Sequence, residues 1–252
     1  MLGLKLVLIL LFCWEPLNAL ESDPELTSTY YQGDILNRGA KRRNGIGNEI
    51  FRWPNATVRY FIQPNVFDKA QLAHISEAMA TIMNNSCITY VIAKEEELPL
   101  ALNITGLNDG CNTEVLGYRK NAPNRINLQP HQIGKGCFRI GSIMHELLHS
   151  LGFEHQHVSQ NRDEYVRIEW ENIDKNQFTN FINEDDTTHW HNFGEAYDYN
   201  SVMHYLPMAF SKNGQPTIVA LKKGNYDMGQ RIKMTKSDIR KLNKMYKCHG
   251  YV

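Results

Sequence analysis

Two histidines one helical turn apart, with a glutamate directly after the first, can hold a metal ion and place a base beside it. The chain has this arrangement at His145, Glu146 and His149. On a helix from Ile143 to Ser150 the two imidazoles share a face, with Cβ atoms about 5–6 Å apart, and can reach one ion. Glu146 lies about 100° round the axis, near the ion without ligating it, where a general base for a metal-activated water belongs. Gly152 can take a positive φ and end the helix, so that His155 turns back as a third ligand. Three protein ligands leave a coordination position open, which marks a catalytic rather than a structural zinc site, with one Zn2+ per chain. A bare H-E-x-x-H occurs by chance on solvated helices. The extended pattern from His145 to His155 fixes five of eleven positions, which makes a chance match rare.

The elements that must carry these residues can be read from periodicity. Thr57 to Ile62 is rich in β-branched and aromatic types and predicts a strand. Asp68 to Met83 predicts a helix, with Leu72, Ile75, Met79 and Ile82 at helical spacing. Ile88 to Ile92 and Arg125 to Leu128 predict further strands, the last after the turn residues Asn121 to Asn124. This order fits a parallel sheet with a crossover helix. Thr235 to Lys247 predicts a last helix, capped by Thr235 with Asp238 three on, and with Ile239, Leu242, Met245 and Tyr246 as its apolar face. Asp185 to Asn200 has no legible pattern, and there is no internal repeat.

The 252 residues carry no formal net charge and 21% charged side chains, so nothing points to nucleic acid or an anionic membrane as a partner. Residues 1–19 read as a signal peptide, with Lys5, an apolar run from Leu6 to Trp14 and a small residue, Ala19, at the cleavage point. A transmembrane anchor is the alternative, but the run is short and Glu15-Pro16 interrupts it. The expectation is a secreted, extracellular protein. After the signal, Cys87, Cys111, Cys137 and Cys248 remain, an even number that suggests two disulfides in any of three connectivities. Asn55, Asn84 and Asn103 begin N-glycosylation sequons. Residues 20–43 are polar, lack a hydrophobic period and end in Lys41-Arg42-Arg43. They read as a propeptide, released by a trypsin-like or furin-like protease at Arg43.

About fifty residues beyond the ligands stands Ser201-Val202-Met203-His204-Tyr205. Alone it reads as a strand end with a buried methionine. After an extended zinc motif it completes the metzincin pattern, in which Met203 gives the imidazoles an apolar, polarisable floor. With Tyr31-Gln32-Gly33-Asp34 upstream, the chain resembles the astacin family of zinc endopeptidases over nearly its whole length after the signal. The resemblance implies an α+β, metzincin-like domain over residues 44–252. Its N-terminal half holds a twisted mixed sheet with two long helices, and its irregular C-terminal half ends in a last helix. It implies disulfides Cys87–Cys248 and Cys111–Cys137, Asp34 as the zinc ligand that keeps the zymogen latent, Tyr205 as an extra zinc ligand that becomes an oxyanion donor, and a mature N-terminus at Asn44. It also implies hydrolysis of extracellular proteins and peptides by zinc-activated water with Glu146 as base, in a monomer. Substrate is expected to lie extended along an edge strand near Arg125 to Leu128. Where the family has Glu after the third histidine, to meet the new N-terminal ammonium, this chain has Gln156. Ser159 and Asn161 likewise replace Arg and Asp. Looser N-terminal anchoring follows.

Two other function classes remain open on residues alone. A silent binding protein on the same scaffold would not need Glu146, and a structural zinc module would have no open position. The pair His189 and His191 lacks a third ligand and reads as solvated, while His157 and His204 read as supports for the site.

Overall fold

Thr57–Ile62, the predicted first strand, is β1, with Val58 turned into the core. The structure, a computed structural model, describes residues 23–26, 30–36, 49–183 and 192–251. The signal segment, the basic cluster ending at Arg43, Asn44 and the pair His189 and His191 lie outside the described residues.

Helix α1 (Lys69–Asn84) starts where the sequence predicts it to. The Asp68 side chain accepts from the Gln71 N–H, and the Gln71 side chain reaches back to the Asp68 N–H. Its buried face is Ile75, Ala78, Met79 and Ile82; Leu72, expected on that face, is at the exposed rim. The chain returns through β2 (Thr89–Ile92), β3 (Leu102–Thr105), β4 (Cys111–Thr113) and β5 (Asn124–Leu128). The sheet order is β2-β1-β3-β5-β4, parallel except for β4, which runs antiparallel to β5. The expectation of an edge at Arg125 to Leu128 is therefore corrected. β5 is interior, flanked by β3 and β4, and the edge on that side is β4.

Helix α2 (Ile140–Leu151) carries the first two candidate ligands and begins before the predicted Ile143. Every residue from Gly141 to Leu151 is buried, so the helix packs on all sides: against α1, against the sheet, and against the C-terminal half. Gly152 ends it with φ 110°, donating to His149 and Leu148 carbonyls.

Beyond α2 regular structure thins to short 3-10 turns, a two-stranded ribbon of β6 (Val166–Ile168) and β7 (Ile218–Ala220), and the helix α3 (Lys236–Met245). Thr235 caps α3 in a reciprocal box with Asp238, as predicted. A second, aromatic-rich core that includes Phe181, Tyr197, Tyr199 and Tyr205 fills this half. The disulfides Cys87–Cys248 and Cys111–Cys137 are both formed. The first ties the end of α3 to the region after α1; the second ties β4 to the turn before α2. Asn55 and Asn84 are exposed, whereas Asn103 is half-buried within β3. Among the described residues no helix is long and apolar enough to cross a membrane.

Candidate metal centre

His145 and His149 project from α2, and the turn at Gly152 brings His155 beside them. All three side chains are fully buried. His145 Nδ1 faces the Val202 carbonyl at 2.8 Å and His149 Nδ1 faces that of Phe153 at 2.7 Å. A carbonyl only accepts, so each Nδ1 carries the proton and each Nε2 offers a lone pair. His155 Nδ1 donates in the same way to Gln32 Oε1 at 2.8 Å. The three Nε2 atoms converge on Asp34 Oδ2, at 3.1 Å from His145, 3.6 Å from His149 and 3.2 Å from His155. Burial lowers the His145 pKa and holds that of His155 down to about 3, so both are neutral.

These residues fit a zinc ion. Lone pairs on His145 Nε2 and His155 Nε2 face each other at 3.1 Å, which needs a cation between them and the carboxylate. His149 Nε2, Asp34 Oδ1 and Glu146 Oε1 are buried with no hydrogen-bond partner. His145, His149, His155 and Asp34 place one ligand atom each within 4.8 Å of one another, a nitrogen and oxygen set suited to zinc.

Glu146 stands beside this cluster, its Oε2 accepting from Thr113 Oγ1 at 2.6 Å. Burial, and then the charges of Asp34 and Glu25, push its carboxyl well above the usual carboxylate range. Met203 is buried in the main core, and its carbonyl accepts from the Gln156 N–H. Its turn is fixed from α3: Asp238 accepts from Ser201 Oγ at 2.6 Å and from the Val202 N–H at 3.0 Å. Tyr205 is buried, with its ring stacked on His157 at 3.8 Å and its hydroxyl donating to the Gln32 carbonyl. His204 bonds Tyr197 and the Tyr205 carbonyl, so it supports the turn, as His157 supports Tyr205.

The segment 30–36 lies across all of this. Gln32 and Gly33 both have positive φ, and a Cβ at Gly33 would meet the Glu25 carbonyl at 2.8 Å, so glycine is needed for the turn that aims Asp34. Ile35 bridges Thr113 in parallel, adding the segment to the free side of β4. Upstream, Glu25 is buried against Arg231, with Arg231 Nε at 2.7 Å. Arg139 reaches Asp23 at 2.8 Å and Glu25 at 3.3 Å. Burial opposes the charge on Glu25, but Arg231 and Arg139 hold it ionised, well below the usual carboxylate range. Sequence reasoning named Gln32 only as part of the Tyr31 to Asp34 motif and missed Glu25, Arg139 and Arg231; only spatial proximity joins them.

Gln156 is also partnered. Its Oε1 accepts from the buried Lys241 ammonium of α3 at 2.5 Å.

The model of the astacin peptidase family matches residues 45–247. The chain is 53% identical over 244 residues to seminal metalloprotease 1 of Drosophila melanogaster, covering 97% of each. It is 36% identical over 228 residues to zinc metalloproteinase nas-8 of Steinernema carpocapsae, where it spans 52% of that protein's length. Among solved structures it is similar to high choriolytic enzyme 1, a hatching enzyme zinc-protease from Oryzias latipes, with a TM-score of 0.68 and 31% identity over 80% of this chain and 96% of that one. Its likeness to myroilysin, at 16% identity and a TM-score of 0.57, concerns the fold alone.

Proposed function

Because the chain belongs to the astacin family of zinc metalloendopeptidases, we propose that it is a secreted zymogen whose zinc is held by His145, His149 and His155 and whose latency is set by Asp34. The observation that carries this reading is the single carboxylate oxygen, Asp34 Oδ2, set against all three Nε2 atoms. Proteins and peptides are the substrates. The disulfides, and the likeness to a seminal metalloprotease, support an extracellular setting.

Held by His145, His149 and His155, a zinc ion would supply Lewis acidity to a scissile carbonyl and to the attacking water. Glu146, with one oxygen unpartnered, takes the water's proton and returns it to the leaving amine. Tyr205 donates to Gln32 while the segment is in place; once the segment leaves, that hydroxyl is free for the oxyanion. The edge of β4, now paired with Ile35, becomes the strand on which an extended substrate adds. Loss of residues 30–36 thus frees the ligand position, the oxyanion donor and the substrate edge together. The test is a peptidase assay on the chain cleaved after Arg43, with and without a chelator. Activity that survives full zinc removal would sink the reading, and so would a cleaved, zinc-loaded protein with none.

Cleavage after Arg43 also removes Glu25 and Asp23, which leaves Arg139 and Arg231 without them. A substrate carboxylate is the natural replacement, because charge-assisted bonds of this kind contribute about 1.5–3 kcal/mol. Cleavage profiling on a proteome-derived peptide digest should therefore show Asp or Glu enriched about tenfold at one position beside the cut, and Arg231→Met should erase the enrichment. A wild-type profile indifferent to acidic residues would exclude this subsite.

Gln156 has its cation from Lys241, and no charged N-terminus is needed there. Forms that begin at Asn44, at Gly45 or one residue earlier should melt within about 2 °C of each other, a difference well under 1 kcal/mol. A large loss on a one-residue extension would show that the N-terminus is anchored after all.

A further inference from the structure

The three imidazoles are not held alike. His145 and His149 donate through Nδ1 to Val202 and Phe153, both within the peptidase domain. His155 donates to Gln32, which belongs to the segment that activation removes. A metal-ligating histidine depends on its second nitrogen's partner for ring orientation. In the cleaved enzyme that partner is gone, and the orientation of His155 passes to the backbone beside it.

Gln156 is the next residue. Its N–H donates to the Met203 carbonyl at 2.9 Å, and its side chain accepts from Lys241 at 2.5 Å. Lys241 is 7% exposed, a buried charge whose hydrogen bond goes to a neutral amide. Both oxygens of the neighbouring Asp238 are taken up by Ser201, Val202 and Thr235. Glu195 is taken up by Arg240 and Lys244. The charges of Asp238, Asp198 and Glu195 offset part of the cost of burying this cation, while its hydrogen bond goes to Gln156. The lysine thus lies where the third ligand joins the Met203 turn.

We propose that Lys241 is a positioning residue: by holding the Gln156 side chain it fixes His155 and the Met203 turn from α3 once Gln32 has left. The proposal rests on His155 being the third ligand. It gives the lysine a role specific to the cleaved enzyme, because in the uncleaved chain Gln32 does the same work.

The test uses the full chain, uncleaved and cleaved after Arg43, each loaded with one zinc. Zinc release to a chromogenic chelator and steady-state kinetics are measured for wild type and Lys241→Met. In the cleaved form the variant should release zinc about tenfold faster and lose about tenfold in kcat, with KM changed less than about twofold. In the uncleaved form its release rate should stay within about twofold of wild type. Lys241→Arg, which keeps the donor, should restore most of both losses. Lys241→Met leaves the Gln156 side-chain oxygen without its donor in both forms, so any fall in melting temperature should be the same in the two. Wild-type zinc release and kcat in the cleaved variant would overturn the proposal, and so would equal acceleration in both forms, which is the mark of a merely structural lysine. If Lys241→Met does not fold, Gln156→Leu cuts the same link from its other end and is read in the same way. His155→Ala is measured separately: zinc retained there at the wild-type rate would remove the third-ligand reading itself, and the proposal with it.

Discussion

Glu146→Ala in the cleaved enzyme is expected to lose turnover by at least about 10²–10⁴-fold, the usual contribution of a positioned general base, while still binding one zinc. The expectation follows from where the two carboxylate oxygens go. Oε2 is held by Thr113 Oγ1, and Oε1 is buried with no partner, beside the histidine cluster but outside it. A residue so placed is expected to handle a proton and to contribute no bond to the metal. Burial and the charges of Asp34 and Glu25 raise the pKa of its carboxyl while the upstream residues are in place. Departure of the segment removes both charges, so the pKa falls on activation. Activity should then rise with pH along an acid limb as Glu146 deprotonates, and Glu146→Asp should move that limb. Zinc lost from Glu146→Ala as completely as from His149→Ala would mean that the residue is a ligand instead.

The second large effect is expected at Asp34. With Arg43 replaced so that the chain cannot be cut, Asp34→Ala should show peptidase activity that the uncut wild type lacks. Asp34 Oδ2 lies within 3.6 Å of each imidazole Nε2, and nothing else on the described part of the segment offers a charged ligand there. The gain will not reach the activity of the cleaved enzyme. Ile35 remains paired with β4, Gln32 still engages Tyr205 and His155, and Glu25 stays locked on Arg231. Adding Glu25→Gln should raise the activity further, because it leaves the segment with one fewer charged anchor. Equal silence in wild type and in both variants would assign latency to steric cover alone.

The contrast between these residues explains what could be read in advance. Histidines four apart on a helix and the cap at Thr235 with Asp238 three on are local patterns, and each appeared where the sequence predicts it. The left-handed turn at Gly152 is also local, because only its own φ matters. Arg231 and Glu25 are 206 residues apart, and a charge in sequence says nothing about which opposite charge the fold brings to it. Lys241 lies outside the apolar face predicted for α3, and only the fold shows it buried against Gln156. The misplaced edge has a similar cause. Strand content is local, but edge status depends on the order β3-β5-β4, set by the antiparallel return of a three-residue strand too short to show alternation. The resemblance to the family supplied the Met203 turn and the disulfide pairing, which spacing alone left undecided.

The most direct measurement is X-ray absorption at the zinc edge, taken on the uncut chain and again after cleavage at Arg43. Three imidazole nitrogens at about 2.0–2.1 Å are expected in both states, with a carboxylate oxygen at about 2.0–2.2 Å in the uncut chain that Asp34→Ala removes. Fewer than three imidazoles in either state, or a cleaved protein that still carries the Asp34 oxygen, would contradict a catalytic centre built from His145, His149 and His155 and closed by Asp34.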